Sequence, residues 1–237
     1  MSLQFRSLCK RTLVMLLIGS FGLVSTAHGS EPNSADEEVS FFGARTIAKG
    51  RTALWLTAGL PDVEIGALYG LSTLSDVSPT VRFNYGRGLR IGGGGLTAAA
   101  RFRMKFAETH GWTIAVSGSP GLSLHMSADD HPPSSKAGAH SVVLSPLVGS
   151  LSADKLLTPA LRLVLGIEAG IGFFLVPERL IHTPVQAQIG VELHLTKSLF
   201  LLARADLGVD MYSQYSAGQA DRSKFLARFR VGLAWLR

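Results

Sequence analysis

The stretch "LTAAARFRMKFAE", residues 96–108, alternates cations with large apolar groups. Arg101, Arg103 and Lys105 take every second position, and Phe102, Met104 and Phe106 fill the gaps. A helix would scatter the two sets around its circumference, whereas a strand sends successive side chains to opposite faces. The pattern therefore predicts a β-strand with one charged face and one apolar face.

The same period of two recurs along the chain. "VEIGALYG" puts Val63, Ile65, Ala67 and Tyr69 on one side. "LRLVLGIEAGIGF" sets Leu161, Leu163, Leu165 and Ile167 against Arg162 and Glu168. "VQAQIGVELHL" and "LFLLARADLGVDM" do likewise, with Glu192, Arg204, Asp206 and Asp210 opposite the apolar set. Glu64, Arg82, Arg228 and Arg230 also avoid the apolar parity. Alternation over so many segments predicts an all-β chain of two-faced strands.

Alternation does not say which face is outside. A soluble lipocalin-like barrel hides its apolar face, and a membrane barrel turns that face outward. Charged residues are 17% of the chain, below the roughly 25% usual in soluble domains, and mean hydropathy is +0.27. The N-terminus also reads as an export signal. Arg6, Lys10 and Arg11 precede the apolar run "TLVMLLIGSFGLV", and the small residues "STAHGS" follow. About 13 apolar residues fall short of the roughly 20 that a spanning helix needs, so residues 1–29 are expected to be cleaved, after Ala27 or Gly29. The one cysteine, Cys9, leaves with that leader. Disulfides, thiolate metal sites and cysteine nucleophiles are thereby excluded from the mature chain. Removing Arg6, Lys10 and Arg11 reduces the net charge of +6 to +3, too weak for a nucleic-acid footprint.

These observations predict an antiparallel up-and-down transmembrane β-barrel over residues 51–237, with 10 strands or alternatively eight. Residues 30–50 are expected to be a polar periplasmic lead-in. The strands are expected near 51–60, 62–71, 79–88, 95–107, 111–126, 140–150, 159–175, 183–195, 198–211 and 224–237. "AETHG" and "LTKS" read as tight turns, while "RGLRIGGGG", "HMSADDHPPSSKAGAH" and the segment before Lys224 read as longer connections. Short periplasmic turns and long outer loops are the barrel rule.

The chain ends "RFRVGLAWLR". This resembles the terminal signal strand of bacterial outer-membrane β-barrel proteins, which runs polar, any, Gly, any, any, aromatic, any, aromatic. Arg230, Gly232 and Trp235 match its first three fixed places, and Arg237 stands where a last aromatic is usual. "ALYGLSTLSDVSPTVRFNYG" also resembles a periplasmic hairpin of such barrels. The resemblance implies a bacterial outer-membrane location, contact with outer-membrane lipid and recognition by the barrel-assembly machinery.

Chemistry-bearing patterns are sparse. His125 and Ser127 in "LHMS" resemble the His-any-Ser pair of an outer-membrane lipid A deacylase family, in which histidine activates serine. His125, His131 and His140, with Asp129 and Asp130, have no tight ligand spacing, so no metal is expected. Nor is any cofactor. The glycines at 92–95 do not join a strand to a helix, so no phosphate-binding loop is read there. They are expected to lie in an outer loop.

The inward charges are the remaining candidates: Arg101, Arg103, Lys105, Arg162, Glu168, Glu192, Arg204, Asp206, Arg228 and Arg230. With Arg82, Glu64 and Asp210 they make eight cations and five anions. Arg101 and Arg103 are expected to pair with Glu64, Glu168, Glu192 and Asp206. The resulting reading is a monomeric, non-enzymatic barrel with a charge-plugged lumen and a structural or surface-interaction role. The alternatives are a narrow anion-preferring porin-like channel, a barrel lipid hydrolase acting through His125 and Ser127, and a soluble secreted barrel.

Overall fold

A computed structural model describes residues 39–87, 90–125, 141–176, 180–214 and 222–237. The expected leader, residues 1–29, and residues 30–38 of the expected lead-in lie outside the described residues. The described elements are ten strands: β1 (Thr52–Leu60), β2 (Asp62–Gly70), β3 (Ser75–Arg87), β4 (Arg90–Thr109), β5 (Trp112–His125), β6 (Ser141–Thr158), β7 (Leu161–Val176), β8 (Leu180–His194), β9 (Leu199–Gln214) and β10 (Arg222–Leu236). Each pairs antiparallel with its sequence neighbours, and β1 pairs with β10 from Ala53↔Leu236 to Leu60↔Phe229. The chain is a closed up-and-down barrel with no free sheet edge. Ten strands, rather than eight, form the wall.

Four connections gather at one end: residues 71–74, 110–111, 159–160 and 195–198. One of the two shortest joins Thr109 to Trp112 through His110 (φ 50°) and Gly111 (φ 76°). Positive φ at both central residues is what a type I′ hairpin turn requires, and glycine adopts it freely. Both ends of the barrel sequence, at β1 and β10, lie at this short-turn end.

The alternation decides the two faces. Ile167 is 59% exposed and Phe229 54%, whereas Arg103 is 1% exposed and Arg162 is fully buried. A soluble barrel does the opposite, so the lipocalin-like alternative does not fit. In the opening stretch Phe102 and Phe106 are exposed outside. Tyr69, Phe106, Trp112 and Trp235 form an outward aromatic belt near the short-turn end, with Lys155 extended over the Trp112 ring at 5.8 Å. Such belts sit at membrane interfaces, where an apolar ring meets a polar edge.

The three largest departures from the expected strand boundaries are in β3, β4 and β6. β4 begins at Arg90, so the glycines at 92–95 lie in the strand and not in a loop. Glycine offers no side chain, but its backbone still pairs, as Asn84↔Gly95 shows. β3 begins at Ser75 and β6 runs to Thr158. These extensions bring Asp76 and Asp154 into the wall, both fully buried.

Candidate functional site

The lumen at the short-turn end is filled by the chain itself. Residues 39–50 precede β1 and were expected as a periplasmic lead-in. Over the described part the structure corrects this: Val39, Phe41, Phe42, Ala44 and Ile47 are buried among inward-facing side chains. The segment enters beside Arg162, two residues from a short turn. It makes a tight loop closed by Ser40 N–H to the Arg45 carbonyl (3.1 Å) and returns through a turn at Gly50 (φ 78°) into β1. Phe41 packs edge-on against Phe200 (5.2 Å) and Trp55 (6.3 Å). Small inward residues make room for the loop, among them Ser78, Thr113, Ala115 and Ser152, all buried. A soluble-looking polar lead had suggested no burial, because its apolar residues "VSFFGA" are few and follow four acids.

An irregular loop inside a barrel has backbone groups that no ladder satisfies, and a buried orphan is costly. The wall charges supply the partners. Glu192 Oε1 accepts from the N–H groups of Phe41 (2.9 Å) and Phe42 (2.8 Å) and from Ser40 Oγ (3.0 Å). Asp154 Oδ2 accepts from Ala44 N–H (2.5 Å) and Arg45 N–H (2.7 Å). Ser40 Oγ accepts from Gly43 N–H, and Asp76 accepts from Ile47 N–H (3.2 Å). Every backbone N–H from Ser40 to Arg45 is thus bonded. On the carbonyl side, Arg103 donates to Ser40 (2.8 Å) and Gly43 (2.7 Å), Arg101 to Phe41 (2.8 Å), and Arg162 to Val39.

The same groups pair with one another. Arg103 meets Asp76 at 2.5 Å, and Arg162 lies between Asp154 (3.6 Å) and Glu192 (3.5 Å). Arg230 bridges Glu64 (2.8 Å) and Asp206 (2.9 Å), with Asp62 at 3.7 Å. Arg82 holds Glu64 at 2.6 Å, and Arg204 holds Asp206 at 2.5 Å. Glu168 accepts from Gln186 and Gln188. Lys105 reaches Glu108 at 3.7 Å near the short-turn mouth, half outside the network. The partners expected for Arg101 and Arg103 were Glu64, Glu168, Glu192 and Asp206. Arg103 takes Asp76 instead, and Arg101 takes a carbonyl, because Glu64, Glu192 and Asp206 are already held by other arginines and Glu168 by Gln186 and Gln188.

Sequence reasoning missed Asp62, Asp76 and Asp154, along with the whole inserted loop. Parity was the available signal: Asp76 shares it with Ser78 and Arg82, and Asp154 with Ser150 and Ser152. These three raise the inward acids from five to eight. They match the eight cations expected, with Lys224, over the Tyr212 ring at 5.7 Å, as a further one. The cation excess behind the anion-channel alternative is therefore mostly removed.

Toward the other end lies a second cluster. His182 stacks on Tyr212 (5.0 Å), meets Phe174 edge-on (6.3 Å) and approaches Asp210 at 3.1 Å through Nε2. His125 ends β5, but its side chain, Ser127, Asp129, Asp130, His131 and His140 lie outside the described residues. Among the described residues no group of His, Cys, Asp and Glu could hold a metal ion. Of the terminal motif, Trp235 is exposed outside and Arg230 is buried inside, with Gly232 between them on the strand, paired with Thr57.

No family model matches this chain, and no curated protein is similar to it. Among solved structures it is similar to outer-membrane expressed OmpT of Vibrio cholerae, with 10% identity and a TM-score of 0.34, over 74% of this chain and 56% of that one. It is also similar to OmpT folded in vitro, described as an outer membrane protein of Vibrio cholerae, with 10% identity and a TM-score of 0.33, over 87% and 74%. The chain thus spans little more than half of the first. The expectation that it is not an enzyme is withdrawn on this finding, because so distant a likeness to proteins called OmpT supports no exclusion of catalysis. What stands is a closed ten-strand antiparallel barrel with distant outer-membrane barrel neighbours.

Proposed function

We propose that this chain is a monomeric bacterial outer-membrane barrel stoppered at its periplasmic end by its own N-terminal segment, serving a structural or surface-interaction role. The short turns mark the periplasmic end by the general barrel rule. Outer-membrane lipid meets the exposed apolar face, and the Trp235 strand is what the barrel-assembly machinery reads.

The observation that carries the stopper is the satisfied backbone. From Ser40 to Arg45 every N–H has a partner, and Glu192, Asp154, Arg101, Arg103 and Arg162 each bind this loop as well as, or instead of, a charge of opposite sign. Charges that served only to neutralise one another would need no such geometry. The lumen wall is built around an occupant of the same chain.

Planar-bilayer recording of the purified mature protein tests this reading. The expected result is no steady conductance. Reproducible anion-selective currents from the wild type would show that the lumen conducts and that the stopper reading is wrong.

A further inference from the structure

At one arc of the short-turn end the exposed apolar wall runs directly into a group of cations. Trp235 on β10, Leu54 on β1 and Leu195 in the β8–β9 turn are exposed apolar side chains near that rim. Arg237 lies two positions beyond Trp235, and Lys197 two beyond Leu195. Arg51 and Lys49 lie three and five positions before Leu54. Main-chain bonds hold these segments side by side. Leu236 N–H donates to the Ser198 carbonyl (2.8 Å), and Arg237 N–H to the Thr52 carbonyl (2.8 Å). Lys197 therefore flanks the end of β10 on one side, with Lys49 and Arg51 on the other.

The arc is basic without local acids. Residues 46–56, 195–203 and 229–237 contain no Asp or Glu. Arg51 is half-buried, and its Nε donates to the Arg237 main-chain oxygen (2.9 Å). Setting that contact aside leaves the side chains of Lys49, Lys197 and Arg237, all exposed. The opposite arc is built differently. There Glu108 stands at the rim, with Lys105 at 3.7 Å and Arg45 at 3.5 Å. The turns at 71–74 and 159–160 carry no charge.

We propose that this arc binds an anionic phospholipid of the periplasmic leaflet. Its tails lie on Leu54, Leu195 and Trp235, and its headgroup phosphate meets Lys49, Lys197 and Arg237. Two strand residues advance the chain by about 7 Å, and the headgroup layer beyond the hydrocarbon is about 5–8 Å thick on each side. The cations thus stand at phosphate depth where the apolar groups stand at tail depth. Lysine and arginine reach that level with their stems along apolar surface, and a Trp ring marks it. Because the cations continue the outward wall and not the lumen, the ligand is a lipid and not a free solute. The inference rests on the outer-membrane reading above and adds the headgroup charge and the place where it is held.

Native mass spectrometry of the full mature protein tests it. The protein is released from a neutral detergent containing equal amounts of phosphatidylglycerol and phosphatidylcholine with the same tails. The wild type retains phosphatidylglycerol over phosphatidylcholine, and free glycerol phosphate in excess does not displace it. Lys197→Gln and Arg237→Gln each lower that preference by about fivefold, the effect of one basic group near an anionic surface. Lys155→Gln, on another arc, leaves it unchanged. If Arg237→Gln fails to fold, Lys197→Gln and Lys49→Gln decide, since both lie outside the terminal strand. Equal retention of the two lipids by the wild type overturns the proposal, and so does an undiminished preference in the glutamine variants at this arc. A preference that emerges only when Glu31, Asp36, Glu37 and Glu38 are all replaced by glutamine overturns it too, and assigns the arc to the chain's own acidic segment. Equal retention by a protein that inserts into vesicles as a folded barrel removes this inference alone, whereas failure to insert removes the outer-membrane reading as well.

Discussion

Replacing Gly43 with valine should unseat the stopper while leaving the wall intact. A Cβ at Gly43 would lie 2.5 Å from Ser40 Oγ and 2.7 Å from both Cβ and Oδ2 of Asp154. Asp154 cannot retreat, because Arg45 at 3.2 Å and Arg162 at 3.6 Å hold it in the β6 wall. The loop must lift instead. Lifting breaks the bonds from Ala44 and Arg45 N–H to Asp154, from Arg103 to the Gly43 carbonyl, and from Ser152 to the same carbonyl (3.2 Å). Three of these involve a charged partner at about 1.5–3 kcal/mol each and the fourth about 1, so about 5–10 kcal/mol opposes seating. Even the lower figure shifts the seated-to-unseated ratio by more than about a thousandfold. The barrel itself survives, since none of its ten ladders passes through Gly43. Two assays read the outcome. In planar bilayers the variant should conduct where the wild type does not, and trypsin should cut after Arg45 only in the variant. A variant that keeps the heat-modifiable mobility of a folded barrel, yet stays closed and uncut at Arg45, refutes the reasoning.

Two further outcomes are expected. Arg162→Met leaves Asp154 and Glu192 buried without their shared cation, and should destabilise the barrel by about 3–5 kcal/mol in urea unfolding from lipid vesicles; a change below about 1 kcal/mol would mean the lumen there is as wet as a surface. Arginine at Phe102, Leu163 or Ala203 places a charge in hydrocarbon at a cost of about 2–4 kcal/mol near mid-depth. Those variants should lose the folded band on unheated gels while Thr97→Lys, on the lumen parity, keeps it, and equal tolerance on both parities would argue against a lipid-facing surface.

The wall of this protein is legible in its sequence because a strand's side-chain period is local. Arg101, Phe102 and Arg103 announce their faces from adjacency alone, and repetition of that pattern from β2 to β10 leaves a two-faced barrel as the consistent solution. Low charge content then turns the apolar face outward. Strand ends are less local, and cutting β3 at 79 and β6 at 150 hid Asp76 and Asp154 although their parity was correct. The stopper lay beyond any local reading. "SFFGAR" carries no periodicity, and its burial depends on Glu192, Asp154 and Arg103, which bond to it across 60 to 152 residues of chain and meet it only when the barrel closes. The pairing of the charges follows the same rule. Sequence shows which residues face inward, but which arginine reaches which carboxylate, and which one is left with a carbonyl, depends on stagger around the wall and on what fills the space between.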